Sequence, residues 1–277
     1  MKYKRSERLV FITEYLTRRP NARVPLSTFV DKFTQAKSSI SEDLRILKEV
    51  FENENIGKII TTHGANGGVT FIPKIDYHTA VEIVREFEEE ISQSNRLLPG
   101  GYLYLSDIVG NASLMAKLAD LVVTLYGDKP IDAVVTIATK GIPMAHAVAA
   151  KLNVPVAVIR KDNKITEGST VSVNYVSGST RKIETMILAK RTLKQGSRVL
   201  VIDDFLRAGG SINGVISLME EFEATVVGVT VLAESKDNSG KRRYKEYTSI
   251  VKVSEIDEFN ETFTVEPGNC LDNFKNG

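Results

Sequence analysis

The segment Val199-Leu200-Val201-Ile202-Asp203-Asp204-Phe205-Leu206-Arg207-Ala208-Gly209-Gly210-Ser211-Ile212 combines two kinds of binding chemistry in one short run. An apolar strand delivers two consecutive acids, and a loop of small residues opens a helical pattern that extends to about Glu223. Side chains alternate faces along a regular strand, so adjacent carboxylates converge on one ligand only where a strand ends. The pattern predicts that Asp203 and Asp204 stand at that point. Carboxylates accept hydrogen bonds from both hydroxyls of a diol. Residues Arg207 to Ser211 offer backbone N–H groups at a helix N-terminus, a natural phosphate cradle. A diol next to a phosphate describes a ribose 5-phosphate.

The surrounding pattern is that of a sheet able to hold such a loop. From residue 131, apolar strands alternate with helices: Ile131 to Ile137, a helix from Met144 to Leu152, then strands Val154 to Ile159, Val199 to Ile202 and Thr225 to Leu232. This predicts an α/β fold, a parallel sheet with flanking helices.

Two acids followed by Gly-Gly-Ser at a helix start resemble the phosphoribosyl pyrophosphate signature of type I phosphoribosyltransferases, and the resemblance extends from residue 98 to about 253. It implies that Asp203, Asp204, Phe205, Arg207, Ala208, Gly209, Gly210 and Ser211 bind the phosphoribosyl ligand. It further implies that Thr139, Lys140 and Gly141 form a pyrophosphate loop and that Arg160 and Lys161 form the basic pair meeting the pyrophosphate. On the same grounds the polar stretch from Asp162 to Arg181 is a mobile hood loop. Leu98 to Ser106, with Tyr102, resembles the segment leading into the adenine and xanthine branch. The sequence departs from catalytic relatives at Arg207, where transferases acting on 6-oxo purines commonly carry an acid. Arginine stays protonated near neutral pH and cannot act as a general base. Adenine-specific relatives carry alanine there, so this position alone does not decide activity. Ala208, where threonine is frequent, removes a hydroxyl from the phosphate site. The combination favours binding without turnover, with no catalytic residue assigned.

The N-terminal 74 residues have a different character. They hold 13 Lys and Arg against 8 Asp and Glu, a net of +5, whereas the remainder holds 23 against 27, a net of −4. A basic excess confined to one module suits a polyanionic partner. Leu9, Ile12 and Leu16 mark a first helix ending at Arg18-Arg19-Pro20. Leu26, Phe29, Val30 and Phe33 mark a second of about eight residues. Ile40, Leu44, Leu47 and Phe51 form the stripe of a third, whose start is predicted at a capping box of Ser39 and Glu42. Its other face carries Ser38, Ser41, Arg45 and Lys48, small polar groups near the helix N-terminus and cations beyond. That arrangement suits entry into a major groove. Lys58 to His63 and Val69 to Ile72 read as strands joined by Gly64-Ala65-Asn66-Gly67-Gly68, a hairpin turn. Three helices and a hairpin resemble the winged helix-turn-helix, which implies a DNA contact by the third helix (Lys37, Ser38, Ser39, Ser41, Arg45, Lys48) and by the wing (His63, Gly64, Asn66). A three-helix bundle with a hairpin also serves protein contacts, and the basic excess favours DNA.

We place the domain boundary after Lys74, giving a winged helix-turn-helix over 1–74 and a phosphoribosyltransferase-like domain over 75–277. An amphipathic helix over 77–95, closed by Pro99-Gly100-Gly101, starts the second domain, and its Glu88-Glu89-Glu90 run reads as a solvated face rather than a metal site. Cys270 is the single cysteine, which excludes an internal disulfide and a Cys-rich zinc site. No run of apolar residues is long enough to span a bilayer, so a cytoplasmic protein without membrane contact is expected.

As a whole the chain resembles the purine operon repressors of Gram-positive bacteria. The resemblance implies a homodimer on double-stranded operator DNA that controls purine synthesis and transport genes and is not an enzyme. Phosphoribosyl pyrophosphate is then the inducer, with Mg²⁺ as an optional companion and no required cofactor. A guanine-nucleotide alarmone, which also offers diphosphates, is a candidate for the same site. The alternative is an active purine phosphoribosyltransferase with an autoregulatory DNA-binding domain.

Overall fold

The computed structural model describes residues 3–64, 67–127, 129–162, 167–177, 182–235 and 244–274. The chain divides into two units, residues 1–76 with 150–153, and residues 77–149 with 154–277.

In the first unit, three helices and a hairpin follow in order: α1 (Arg5–Thr17), α2 (Leu26–Phe33), α3 (Lys37–Asn53), β1 (Gly57–Thr62) and β2 (Gly68–Pro73). The predicted stripes are the core. Ile12, Leu16, Phe29, Phe33, Ile40, Leu44, Leu47 and Phe51 are buried together with Ile59, Val69 and Phe71 of the hairpin. Phe51 and Phe71 meet edge to face, with ring centroids 5.2 Å apart, an arrangement that adds to simple area burial. The strands pair antiparallel from Gly57 opposite Pro73 to Thr62 opposite Gly68, and Val24 extends the ribbon through a bridge to Val69.

Two features depart from expectation. The predicted capping box is not formed: α3 starts at Lys37 after Ala36, whose extended backbone offers no side-chain cap. Because the Ile40 N–H already bonds to the Ala36 carbonyl, Ser39 lies inside the first turn and cannot cap it. The second feature is Asp43, a fully buried acid on α3. Its carboxylate accepts from Arg8 Nε at 2.7 Å and Nη2 at 3.2 Å, and from Arg5 Nε at 3.1 Å. Both arginines lie on α1, so an ion pair ties the first helix to the third.

The second unit opens with α4 (Tyr77–Ile91), which ends before the predicted position 95 and well before Pro99-Gly100-Gly101; those residues instead turn between β3 (Leu97–Leu98) and β4 (Tyr102–Leu103). Then come α5 (Ser106–Gly110) and α6 (Ala112–Tyr126), the latter capped by Asn111, which accepts from Leu114 N at 3.2 Å. The remaining elements are β5 (Ala133–Ile137), α7 (Ile142–Leu152), β6 (Val156–Ile159), β7 (Thr170–Val176), β8 (Ile183–Ala189), β9 (Arg198–Leu206), α8 (Gly210–Glu221), β10 (Thr225–Ser235), β11 (Thr248–Asp257) and β12 (Thr262–Pro267).

The main sheet has the order β12-β11-β10-β9-β5-β6. All its pairings are parallel except that of the edge strand β12, which runs antiparallel to β11. From β5 the chain goes outward to β6, then returns to the other side of β5 as β9 and proceeds outward through β10 and β11. The order therefore reverses between β5 and β9, and open α/β sheets bind ligands outside the carboxyl ends of the strands at such a point. Among the described residues, no helix is long and apolar enough to cross a membrane.

Part of the predicted hood loop is a strand. Residues 170–176 form β7 and pair antiparallel with β8, from Thr170 opposite Ala189 to Val176 opposite Ile183. Tyr175, Met186 and Leu188 enter the core, and Val171 and Val173 pack on it. The alternation of Val171, Val173 and Tyr175 is a strand signal. Residues 163–166 and 178–181 of the predicted loop lie outside the described residues.

Candidate effector pocket and DNA-binding face

A cavity of about 210 Å³ opens at the reversal point, where the loop after β5 meets the end of β9. Tyr102, Lys140, Asp203, Asp204, Phe205, Arg207, Ala208, Gly209, Gly210 and Ser211 all line it. Leu103, Leu105, Leu206 and Ile212 add apolar walls that sequence reasoning did not single out.

The acids reach the cavity differently from the prediction. β9 does not end before them: it continues to Leu206, with Asp203 opposite Val231 and Leu206 opposite Glu234 of β10. On its other side, pairing with β5 stops at Thr136 opposite Ile202. The carboxylates emerge where one neighbouring strand has left the sheet while the other still supports β9. Asp203 is buried and accepts from its neighbour's backbone, Asp204 N to Asp203 Oδ1, at 3.0 Å. Burial, reinforced by the adjacent Asp204 carboxylate, pushes the Asp203 carboxyl well above the usual range; Lys161 pulls in the opposite direction.

Gly209 precedes α8 in the left-handed region, φ 77°, a conformation glycine adopts without steric cost. The first turn of α8 then lines the cavity with Gly210, Ser211 and Ile212. Arg207 stands exposed at the mouth, its guanidinium carbon 4.9 Å from the Tyr102 ring centroid. Glu258 holds the segment carrying Tyr102 by accepting from Gly100 N at 3.0 Å.

The four remaining candidates do not line the cavity. Thr139 and Gly141 lie in the loop after β5, where the Ala138–Thr139 peptide bond is cis. A Cβ on Gly141 would overlap Thr136 Oγ1 and lie 3.4 Å from the Asp203 Cα. This close approach allows only glycine, so Gly141 lets the loop pack against the acid strand. Arg160 Nε pairs with Glu167 at 3.1 Å, and Lys161 Nζ pairs with Glu184 at 2.6 Å. Both predicted pyrophosphate cations therefore face carboxylates. Glu184 and Glu258 escaped sequence reasoning because each is a single acid distant in sequence from the loop it meets.

On α3, Lys37, Ser38, Ser41, Arg45 and Lys48 are exposed, and Ser39 is half-buried. Arg45 pairs along the helix with Glu49 at 3.0 Å, and Ser41 Oγ donates to the Lys37 carbonyl at 2.9 Å. His63 and Gly64 are exposed at the end of β1, and Asn66 lies outside the described residues.

Residues 4–73 match the family described as bacterial purine repressor, N-terminal, and residues 106–267 match the phosphoribosyl transferase domain. The chain is 49% identical over 275 residues to the purine biosynthesis transcriptional repressor PurR of Bacillus subtilis (strain 168), covering 99% of this chain and 96% of that protein. The chain belongs to the bacterial purine repressor family. Within that family, the purine biosynthesis transcriptional activator PurR of Lactococcus lactis subsp. lactis (strain IL1403) is 45% identical over 268 residues, covering 97% of this chain and 98% of that one. A repressor and an activator are thus both named among these relatives. The fold of the second unit also matches the crystal structure of an adenine phosphoribosyltransferase from Rhodothermus marinus DSM 4252. Its TM-score is 0.55 at 20% identity, with 62% of this chain and 99% of that one covered.

Proposed function

We propose that the protein is a DNA-binding transcriptional repressor of purine synthesis and transport genes, and that phosphoribosyl pyrophosphate is its inducer. In this reading the ligand occupies the cavity at the end of β9 and is not turned over. The observation that carries it is the gathering of Asp203, Asp204, Lys140, Arg207 and the first turn of α8 around one cavity, in a chain whose other unit has the form of a DNA-binding module. Asp203 and Asp204 accept from the ribose hydroxyls, the N–H groups of residues 209 to 211 hold the 5-phosphate, and Lys140 and Arg207 supply positive charge to the diphosphate. The ligand lowers operator affinity because it binds one state of a homodimer better than the state that grips both half-sites. The reading assigns the protein to the cytoplasm, on double-stranded operator DNA. It calls for no cofactor of the protein's own, and Mg²⁺ enters only as a companion of the diphosphate. A guanine-nucleotide alarmone offers diphosphates to the same donors and is the competitor to measure.

Operator binding by the purified chain with and without phosphoribosyl pyrophosphate tests this. Weaker binding with the ligand is expected, and affinity indifferent to it overturns the reading. Loss of the gene should raise purine-gene transcription; a fall would make the protein an activator, as the Lactococcus relative is named. The transferase fold supports a second reading, catalysis. Incubation with the pyrophosphate donor, Mg²⁺ and each purine base should yield no nucleotide, and efficient nucleotide formation would favour this second reading.

A further inference from the structure

Lys161 follows β6, where the resemblance to phosphoribosyltransferases expects a cation for the diphosphate. Its ammonium is already engaged, with Nζ 2.6 Å from Glu184 Oε2. The same oxygen accepts from the Tyr175 hydroxyl at 2.8 Å, and Tyr175 and Glu184 are cross-strand partners in the β7–β8 hairpin. This group does not line the cavity but lies behind a residue that does. The Tyr175 ring packs on α8 so closely that a Cβ on Gly214 would lie 2.8 Å from its Cγ, and its hydroxyl interacts with Ser211, which lines the cavity. Lys161 in turn acts electrostatically on Asp203. The Glu184 side chain is only 23% exposed and that of Lys161 is 52% exposed. The partner of Lys161 is thus a carboxylate delivered by a hairpin outside the acid motif, next to the residues that line the pocket.

We infer that Glu184 sets the pocket's affinity and its preference for diphosphates: its carboxylate is the resident partner of Lys161, and an incoming diphosphate must displace it to gain that cation. The inference rests on the reading of this cavity as the phosphoribosyl pyrophosphate site. A partly exposed ion pair is weak enough to be exchanged. A diphosphate brings more charge and more acceptor oxygens than a single carboxylate and wins the exchange. A monophosphate held at the start of α8 does not need Lys161 and is indifferent to Glu184.

The test is equilibrium binding of phosphoribosyl pyrophosphate, inorganic pyrophosphate and ribose 5-phosphate to the full chain, to Glu184→Gln, to Lys161→Gln and to the double variant. Glutamine removes the charge but keeps an oxygen that accepts from Tyr175. Glu184→Gln should tighten the two diphosphate ligands about threefold to tenfold and leave ribose 5-phosphate unchanged. Glu184→Asp, which retains the charge, should keep wild-type affinity, and Lys161→Gln should cancel the gain. A purely structural Glu184 would instead lose affinity on substitution. Unchanged or weaker diphosphate binding by Glu184→Gln, or a gain that survives Lys161→Gln, overturns the inference. Lys161→Gln alone should weaken the diphosphates selectively, a result independent of whether the Glu184 variant folds; equal loss for ribose 5-phosphate counts against it. Failure of the wild-type chain to bind any of the three refutes the pocket assignment itself.

Discussion

In the second unit the groups assigned to the ligand are built into the fold: Asp203 is buried, Gly141 is pressed against the strand that carries it, and the first turn of α8 closes the cavity. In the first unit the groups assigned to DNA stand outside a core that packs without them, and Arg45 pairs with Glu49 one turn along its helix. Function in the pocket therefore draws on folding stability, while function on the helix face depends on how that face is held. What holds it is internal: Asp43, one residue from Leu44 of the core stripe, locks α3 to α1 through Arg8 and Arg5.

The contrast can be broken most strongly at Asp43. Its replacement by alanine leaves Arg8, whose side chain is 10% exposed, as a buried charge without its carboxylate. Breaking such a pair costs about 3–5 kcal/mol. Urea unfolding should show the first unit melting early, and binding of phosphoribosyl pyrophosphate should persist. Gly141→Ala comes next, since the added methyl overlaps Thr136, beside Asp203. A loss of about 1–3 kcal/mol is expected from overpacking, together with loss of ligand binding, read by calorimetry.

Asp203→Asn sharpens the comparison by moving stability and function in opposite directions. The folded-state pKa of Asp203 is raised, so the native state holds its proton more tightly than the unfolded state does. Its contribution is present below the ordinary carboxylate range and is lost as pH rises through the raised value. At neutral pH the asparagine variant should therefore melt higher than wild type, and the difference should vanish in acid, while ligand binding is lost. A variant that melts lower at neutral pH would remove the argument for a functional carboxylate held against its solvation. At the small end, Arg45→Ala should change stability by no more than about 0.5 kcal/mol. Operator affinity should nonetheless fall by about 1–3 kcal/mol if Arg45 reads a base, measured by titration at fixed salt.

The pocket was legible because its chemistry is contiguous: strand, acids, glycines and helix start lie in one short run, and local rules cover each. The same locality explains the errors around it. That β9 continues past the acids depends on β10, which pairs with it to Leu206 after β5 has stopped. Strand β7 was hidden within a stretch, Asp162 to Arg181, rich in Ser, Thr and Gly, although Val171, Val173 and Tyr175 alternate as a strand should. The start of α3 was misplaced because Ser39 and Glu42 satisfy the spacing of a cap, while the actual first turn begins at Lys37 with no cap. Asp43 could not be recognised as buried, since its partner Arg8 lies 35 residues earlier. Glu184 and Glu258 likewise acquire meaning only from what the tertiary fold places beside them.

In the proposed function, one cavity on the second unit governs DNA binding by the first. Operator affinity measured with and without phosphoribosyl pyrophosphate, in wild type and in Asp203→Ala, Asp204→Ala, tests it directly. The ligand should weaken operator binding by wild type and leave binding by the double variant unchanged. A double variant that releases DNA in response to the ligand as wild type does would contradict it.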